Sequence, residues 1–220
     1  MGCSSDRDSR CEEEIKLQKW ESELRFQDFS VLQGHYALTR FSAGSVLNDF
    51  GFHQVADILG FRVANTHKNT AVEGFFQTFR QEGHYNAHDL KVLSVMLSTG
   101  IAIEKAPVLF EVFDERFEGS LPRKAIQTMI QEVLYTATTR ALEAVPAFDR
   151  LTIEPYIQKM KEKETEAEAL LLQFACEGEE VVTREQFVSN LTRSEGAKLL
   201  SSSGLRKFLT ECTSKEAGKT

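Results

Sequence analysis

Three oxygen-bearing side chains within seven residues, Asp114, Glu118 and Ser120, have the clearest chemical potential in this sequence. Carboxylate and hydroxyl oxygens are the ligands that a hard divalent cation such as Ca²⁺ takes in proteins. Calcium requires about six to eight oxygens, however, and this segment offers too few. Arg116 also places a cation between Asp114 and Glu118. The three residues therefore make an incomplete calcium site, and we expect no resident cofactor.

A second chemical feature is the Gly2-Cys3 pair at the amino terminus. After removal of Met1, Gly2 could accept a myristoyl chain and Cys3 a palmitoyl chain. The usual myristoylation motif has Ser or Thr at the sixth position, where this chain has Asp6, so a start without lipid stays open. Because one myristoyl chain binds a membrane only reversibly, and residues 12–14 are acidic rather than basic, Cys3 is the candidate second attachment.

Composition and motifs exclude several other functions. A net charge of -7 without a basic tract argues against a nucleic-acid partner. The sequence contains no glycine-rich phosphate loop and no G-x-S-x-G elbow, so we expect no enzyme. No apolar run is long enough to cross a bilayer. The cysteines lack C-x-x-C spacing, which indicates a reducing cytosolic setting. They are Cys3, Cys11, Cys176 and Cys212.

The elements that would position these residues follow a pattern of paired apolar anchors that occurs four times. Each pair brackets a short polar loop between two helical patterns, and a further apolar residue lies five positions before the second anchor. The pattern predicts four helix-loop-helix units with a short strand contact in each loop, and such units need a partner to cover them. The anchors are Phe41/Phe52, Phe79/Leu90, Phe113/Ile126 and Phe174/Phe187, and the mid-loop residues are Leu47, Tyr85, Leu121 and Val182.

The arrangement resembles the EF-hand superfamily, and more loosely its neuronal calcium sensor and calcineurin B-like branches, over about Phe29 to Leu191. The third unit carries most of the resemblance. Its loop starts with Asp114, has Gly119 at the sixth position for the sharp turn, and has Leu121 at the eighth. The resemblance implies an all-α fold with two lobes of paired EF-hand-like units, minimal two-stranded loop contacts, and extra helices at both termini.

In that family the twelfth loop position supplies a bidentate Glu to calcium, and no loop here has it. The third loop has Ala125 at that position and the fourth has Gln186. The first two loops, which begin at Ser42 and Arg80, are two residues shorter than the others. We therefore expect four calcium-free units. The alternative is weak calcium binding at the third unit, through Asp114, Glu118 and Ser120, with or without a contribution from the fourth.

The predicted organisation has four parts. Residues 1–12 form a tail that carries the acylation candidates, and 13–100 form an amino-terminal lobe with the first two units. Residues 101–195 form a carboxy-terminal lobe with the third and fourth units and an insertion at about 137–165. Residues 196–220 form a last helix and tail. We also expect the helix before the fourth loop to run unbroken over Ile157–Phe174.

Function follows from the resemblance and from the missing ligands. A lobe without calcium keeps a hydrophobic groove that a partner's amphipathic helix can occupy. Alternatively the chain's own last helix fills it as a plug, through Leu205, Phe208 and Leu209, or simply completes the core. We expect a non-enzymatic adaptor at the cytoplasmic face of a membrane, held peripherally by acylation. The alternatives are a weak calcium sensor and a structural component of a cytoskeletal, ciliary or flagellar assembly.

Overall fold

The computed structural model describes residues 12–60, 70–193 and 196–217, which are mostly α-helical with short antiparallel strands between the helices. This agrees with the predicted all-α class. The helices are Glu12–Glu23 (α1), Val31–Phe41 (α2), Asp49–Leu59 (α3), Thr70–Gln77 (α4), Ala87–Leu97 (α5), Ala102–Phe113 (α6), Arg123–Tyr135 (α7), Ala141–Glu143 (α8), Ala147–Lys161 (α9), Glu164–Cys176 (α10), Arg184–Leu191 (α11) and Ser202–Ala217 (α12). The strands are Val46–Leu47 (β1), Arg80–Gln81 (β2), His84–Asn86 (β3), Ser120–Pro122 (β4) and Val181–Thr183 (β5).

Local side-chain chemistry starts and ends several of these helices. Ser30 caps α2 and Thr183 caps α11, each in a reciprocal capping box with the glutamine three residues later. Such a box satisfies two backbone N–H groups that the first helical turn leaves without partners. Gly60 ends α3 with φ 71°, a conformation that glycine adopts without steric cost.

The short strands join the loops at the predicted mid-loop residues. Leu47 of β1 lies opposite Tyr85 of β3, and Leu121 of β4 lies opposite Val182 of β5, in antiparallel pairs. All four side chains are buried. The loops are thus coupled in two pairs, first with second and third with fourth.

The first pair of loops differs from the predicted two-stranded contact because it forms three strands, in the order β1-β3-β2. β2 and β3 form a hairpin whose turn residues, Glu82 and Gly83, both have positive φ. Two positive φ values in succession are the geometry of a type I′ turn, which matches the twist of paired strands. The second loop is therefore a β-hairpin and does not wrap around a central ion position.

The described residues form two hydrophobic cores, and helix α5 contributes to both. The first core is rich in phenylalanine rings from α3, α4 and the segment before α2, with Phe52 stacked on Tyr85 at 4.0 Å. The second fills the space between α6, α7 and the helices that follow. Helix α5 is buried on both sides: Leu90 and Leu93 face the first core, and Val92 and Val95 face the second. The two halves of the chain are therefore packed against each other through α5.

The amino-terminal helix packs on the carboxy-terminal half of the chain. α1 ends at Glu23, Arg25 has φ 63°, and a 3-10 turn follows over Phe26–Asp28. Leu17 of α1 belongs to the second core, and α1 lies against α9 of the other half of the chain.

The insertion is a helix of its own, so the prediction of one unbroken helix over Ile157–Phe174 is wrong. Helices α9 and α10 are separated at Glu162 and Lys163. α9 packs against α1 and α12, whereas α10 packs mainly against α7. A single straight helix could not bury its apolar side chains against both sets of neighbours, and the break lets each half face its own partners.

Candidate functional site

The third loop, residues 114–125, closes on the side chain of its first residue. Asp114 is buried, with Oδ1 accepting a hydrogen bond from the Glu118 backbone N–H at 2.9 Å and Oδ2 accepting one from the Gly119 N–H at 2.8 Å. Each carboxylate oxygen therefore accepts one hydrogen bond from the backbone of the loop. Hydrogen bonds from an N–H to a carboxylate are charge-assisted and stronger than neutral ones, so Asp114 can hold the loop's shape without an ion.

The other two predicted ligands are not brought to Asp114. The exposed Glu118 carboxylate is 3.9 Å from the Arg116 guanidinium, and Ser120 lies in β4, paired with Thr183. Ala125, at the position of the missing bidentate ligand, packs against the second core. Across residues 12–60, 70–193 and 196–217, His, Cys, Asp and Glu side chains form no group of three or more that could hold a metal ion.

The three apolar residues predicted for a groove or a plug lie on α12 and are buried. Leu205, Phe208 and Leu209 are part of the second core, where α12 packs against α7, α9 and α10. A plug and an ordinary core helix would both bury these three residues. Their surroundings are therefore a better guide to the role of α12 than their burial.

A buried arginine connects α12 to the amino-terminal helix. Arg206 has 0% exposure, and its guanidinium donates to both oxygens of Glu14, at 2.8 and 2.9 Å. It also donates to both oxygens of Glu21, at 2.7 and 2.9 Å, and to the Ala137 carbonyl at 3.0 Å. All five N–H groups of an arginine can be satisfied by such a set. We call Arg206, Glu14 and Glu21 the ion cluster.

The ion cluster contains one positive and two negative groups, so further donors stabilise it. Gln18 donates to Glu14 at 2.9 Å and the Tyr156 hydroxyl donates to the same carboxylate at 3.3 Å. Burial by itself opposes a charge on Arg206, but Glu21 and Glu14 outweigh it and raise the pKa of Arg206 above its already high value. Arg206 therefore stays charged at every pH at which the protein is folded.

Sequence reasoning missed the ion cluster, although a signal was present. Glu14, Leu17 and Glu21 are spaced three and four residues apart, which places them on one face of a helix. Two acidic residues on the same face as a buried leucine indicate a buried basic partner. Nothing in the local pattern identifies that partner as Arg206, 192 residues away along the chain.

The junction between the two halves is polar and contains a histidine. His88 of α5 forms a 2.8 Å hydrogen bond with Glu132 of α7, and its ring lies edge-on to Phe113. Burial opposes protonation of His88, but the hydrogen bond and charge of Glu132 outweigh it and raise the pKa. The arrangement favours the charged imidazolium and ties α5 to α7.

Cys176 is buried at the end of α10, and burial raises the pKa of its thiol, which disfavours the reactive thiolate. Gly2 and Cys3, the predicted acylation sites, lie outside the described residues. Every helix within the described ranges is too short or too polar to traverse a bilayer.

Comparison of the chain with protein-family models and with curated proteins gives no match.

Proposed function

We propose that this protein is a non-enzymatic adaptor built from four EF-hand-like helix-loop-helix units that work without calcium. The observation that carries the proposal is the pairing of mid-loop residues between successive units, Leu47 with Tyr85 and Leu121 with Val182. Loops coupled through a short antiparallel contact, each between two helices, are the arrangement expected of paired EF-hand-like units.

Calcium independence is supported by how the third loop is built. Asp114 uses both carboxylate oxygens on backbone N–H groups, and Ala125 offers no oxygen where a bidentate carboxylate would be needed. The second loop is a β-hairpin. A calcium-driven opening of the helix pairs would need a site that these loops do not provide.

The ion cluster supports a fixed, structural α12 rather than a removable plug. Displacing α12 would remove Arg206 from the buried carboxylates of Glu14 and Glu21. Taking one partner away from a buried ionic group is energetically costly. A partner helix would instead meet the surface of the amino-terminal half. Leu32 and Tyr36 lie one turn apart on α2 and are exposed, as is Phe50 on α3. Apolar side chains at this spacing are suited to an amphipathic helix.

Replacing Asp114 by alanine tests the calcium-free loop. We expect Asp114→Ala to lower the free energy of unfolding by about 1 to 3 kcal/mol, because two part-buried hydrogen bonds from backbone N–H groups to a charged acceptor are lost. Isothermal titration should show no calcium heat in either protein. The matched control is Glu118→Gln in the same loop, an exposed side chain whose loss should change stability by less than about 0.5 kcal/mol. Heat at submillimolar calcium that disappears in Asp114→Ala would instead identify a calcium sensor.

The membrane part of the proposal rests on Gly2 and Cys3. We expect Cys3→Ser to reduce the ratio of membrane-bound to soluble protein in cells by about tenfold or more, because one myristoyl chain alone binds only marginally. Mass spectrometry should show Gly2 still myristoylated in that variant. Cys212→Ser, near the other end of the chain, controls for the loss of a thiol and should leave the ratio unchanged. Equal membrane recovery of Cys3→Ser and the unmodified sequence would refute a two-chain anchor.

A further inference from the structure

A polar cavity lies where the ends of four helices meet, away from the four loops. Its volume is about 370 Å³, and it lies between α1, the end of α5, the start of α6 and the start of α12. The residues that matter for its chemistry are Gln18, Glu21, Ser98, Lys105, Ser201 and Ser202. This volume is within the range of small-molecule sites, about 300 to 1,000 Å³.

The ammonium group in this cavity has no counter-charge among the described residues. Lys105 is 5% exposed, and its Nζ donates one hydrogen bond, to the Leu200 carbonyl at 3.1 Å. Burial lowers the pKa of Lys105 to about 8, with no contribution from a neighbouring carboxylate. An ammonium has three N–H donors, so two of them have no partner in the described structure.

Two buried hydroxyl groups in the same lining also have no partner among the described residues. They are Ser98 Oγ at the end of α5 and Ser202 Oγ at the start of α12, in residues that are 5% and 1% exposed. Buried hydroxyls are almost always hydrogen-bonded, so two orphans at one cavity indicate a missing acceptor.

The charge around the cavity favours an anion. α12 is 16 residues long and has no acidic residue in its first turn, so its positive end is not neutralised there. The carboxylate in the lining, Glu21, is already paired with Arg206 at 2.7 Å. Gln18 and the serines are neutral. Lys105 is therefore the positive charge among the described lining residues, and the negative lining residue, Glu21, shares Arg206 with Glu14 in the ion cluster.

We infer that this cavity is a binding site for a phosphate-class oxyanion, held by the Lys105 ammonium and the hydroxyls of Ser98 and Ser202. These donors belong to three separate segments of the chain, the end of α5, α6 and the start of α12, and the oxygens of a phosphate can accept hydrogen bonds from each of them. The volume admits a phosphate with a small organic substituent. This inference is independent of the proposed adaptor function, since it uses none of the loop residues.

The test is titration of the full chain with inorganic phosphate at pH 7 and constant ionic strength, followed by calorimetry and by NMR of the lysine side-chain nitrogens. We expect saturable binding with a dissociation constant of about 1 mM or below, and at least a tenfold loss in Lys105→Met. The matched control is Lys207→Met, which removes the same charge from an exposed position of α12 and should change the constant less than about twofold. Phosphate should also raise the pKa of Lys105 in the unmodified protein above about 8.

Two further arms separate the sources of the anion. Glycerol phosphate that competes with inorganic phosphate and binds more tightly indicates a soluble phosphomonoester. Vesicles of phosphatidic acid in phosphatidylcholine that bind the unmodified protein, but bind Lys105→Met much less, indicate a lipid headgroup. The inference is overturned if phosphate produces no saturable signal up to about 50 mM, or if Lys105→Met binds as well as the unmodified protein. Ser202→Ala retains Lys105 and should weaken phosphate binding several-fold. It tests the site with a second variant that is independent of Lys105→Met.

Discussion

Replacing Arg206 by methionine is expected to lower the free energy of unfolding by about 3 to 5 kcal/mol, the largest effect of any single change considered for this protein. The substitution leaves Glu14 and Glu21 buried without their positive partner. Removing one member of a buried ionic group destabilises the protein by more than the complete group stabilises it, because the remaining buried charges have no opposite charge beside them. Urea denaturation followed by circular dichroism measures the change.

Two further variants separate this effect from a general loss of arginine. Arg184→Met breaks a half-exposed pair with Glu111 at 2.7 Å and should cost less than about 1 kcal/mol. The triple variant Glu14→Gln, Glu21→Gln, Arg206→Met removes all the charges together and should recover most of the lost stability. A cost below about 1 kcal/mol for Arg206→Met alone would show that α1 and α12 are not held by the ion cluster.

Replacing Lys105 by methionine is expected to have the opposite sign and to raise the free energy of unfolding by about 1 to 3 kcal/mol at pH 7, in buffer without phosphate or sulfate. Burial lowers the pKa of Lys105 from 10.5 to about 8, so the folded state carries this charge at a cost. Methionine keeps most of the length and volume of the side chain without the charge. The lost hydrogen bond to the Leu200 carbonyl offsets part of the gain.

The effect of Lys105 on stability should depend on pH in a defined window. Between pH 8 and 10.5 the unfolded chain binds more protons at this lysine than the folded chain does, so stability of the unmodified protein rises with pH there. The cost is fully present below about pH 8 and disappears above about 10.5, so the advantage of Lys105→Met should shrink across this window. Urea denaturation at about pH 8 and at about pH 10.5, with Lys207→Met as control, measures how much this advantage shrinks. An advantage that is independent of pH would contradict a buried ammonium.

Features set by neighbours in sequence could be predicted. The mid-loop residues Leu47 and Tyr85 form the predicted strand contact because an apolar side chain in a polar loop has few ways to be buried. Gly60 ends α3 as expected because the left-handed conformation favours glycine. The break between α9 and α10 could not be predicted, since a continuous helical pattern runs through Glu162 and Lys163 and only the packing partners differ.

The sequence also predicted part of the candidate calcium site in the third loop. The absence of a carboxylate at Ala125 follows directly from residue identity. The Asp114 carboxylate accepts hydrogen bonds from the backbone N–H groups of Glu118 and Gly119. These bonds depend on the loop's conformation, which the sequence pattern does not specify.

By itself the sequence determined which mid-loop residues are buried and which calcium ligands are missing, because periodicity and residue chemistry act over a few residues. Only the tertiary structure decided which charges are buried and with what partners. Arg206 meets Glu14 and Glu21 through the packing of helices far apart in the chain. Lys105 lines one cavity with Ser98 and Ser202, whose hydroxyls have no partner among the described residues. The free energy of a buried charge depends on every group that surrounds it, and those groups are known only once the helices are packed.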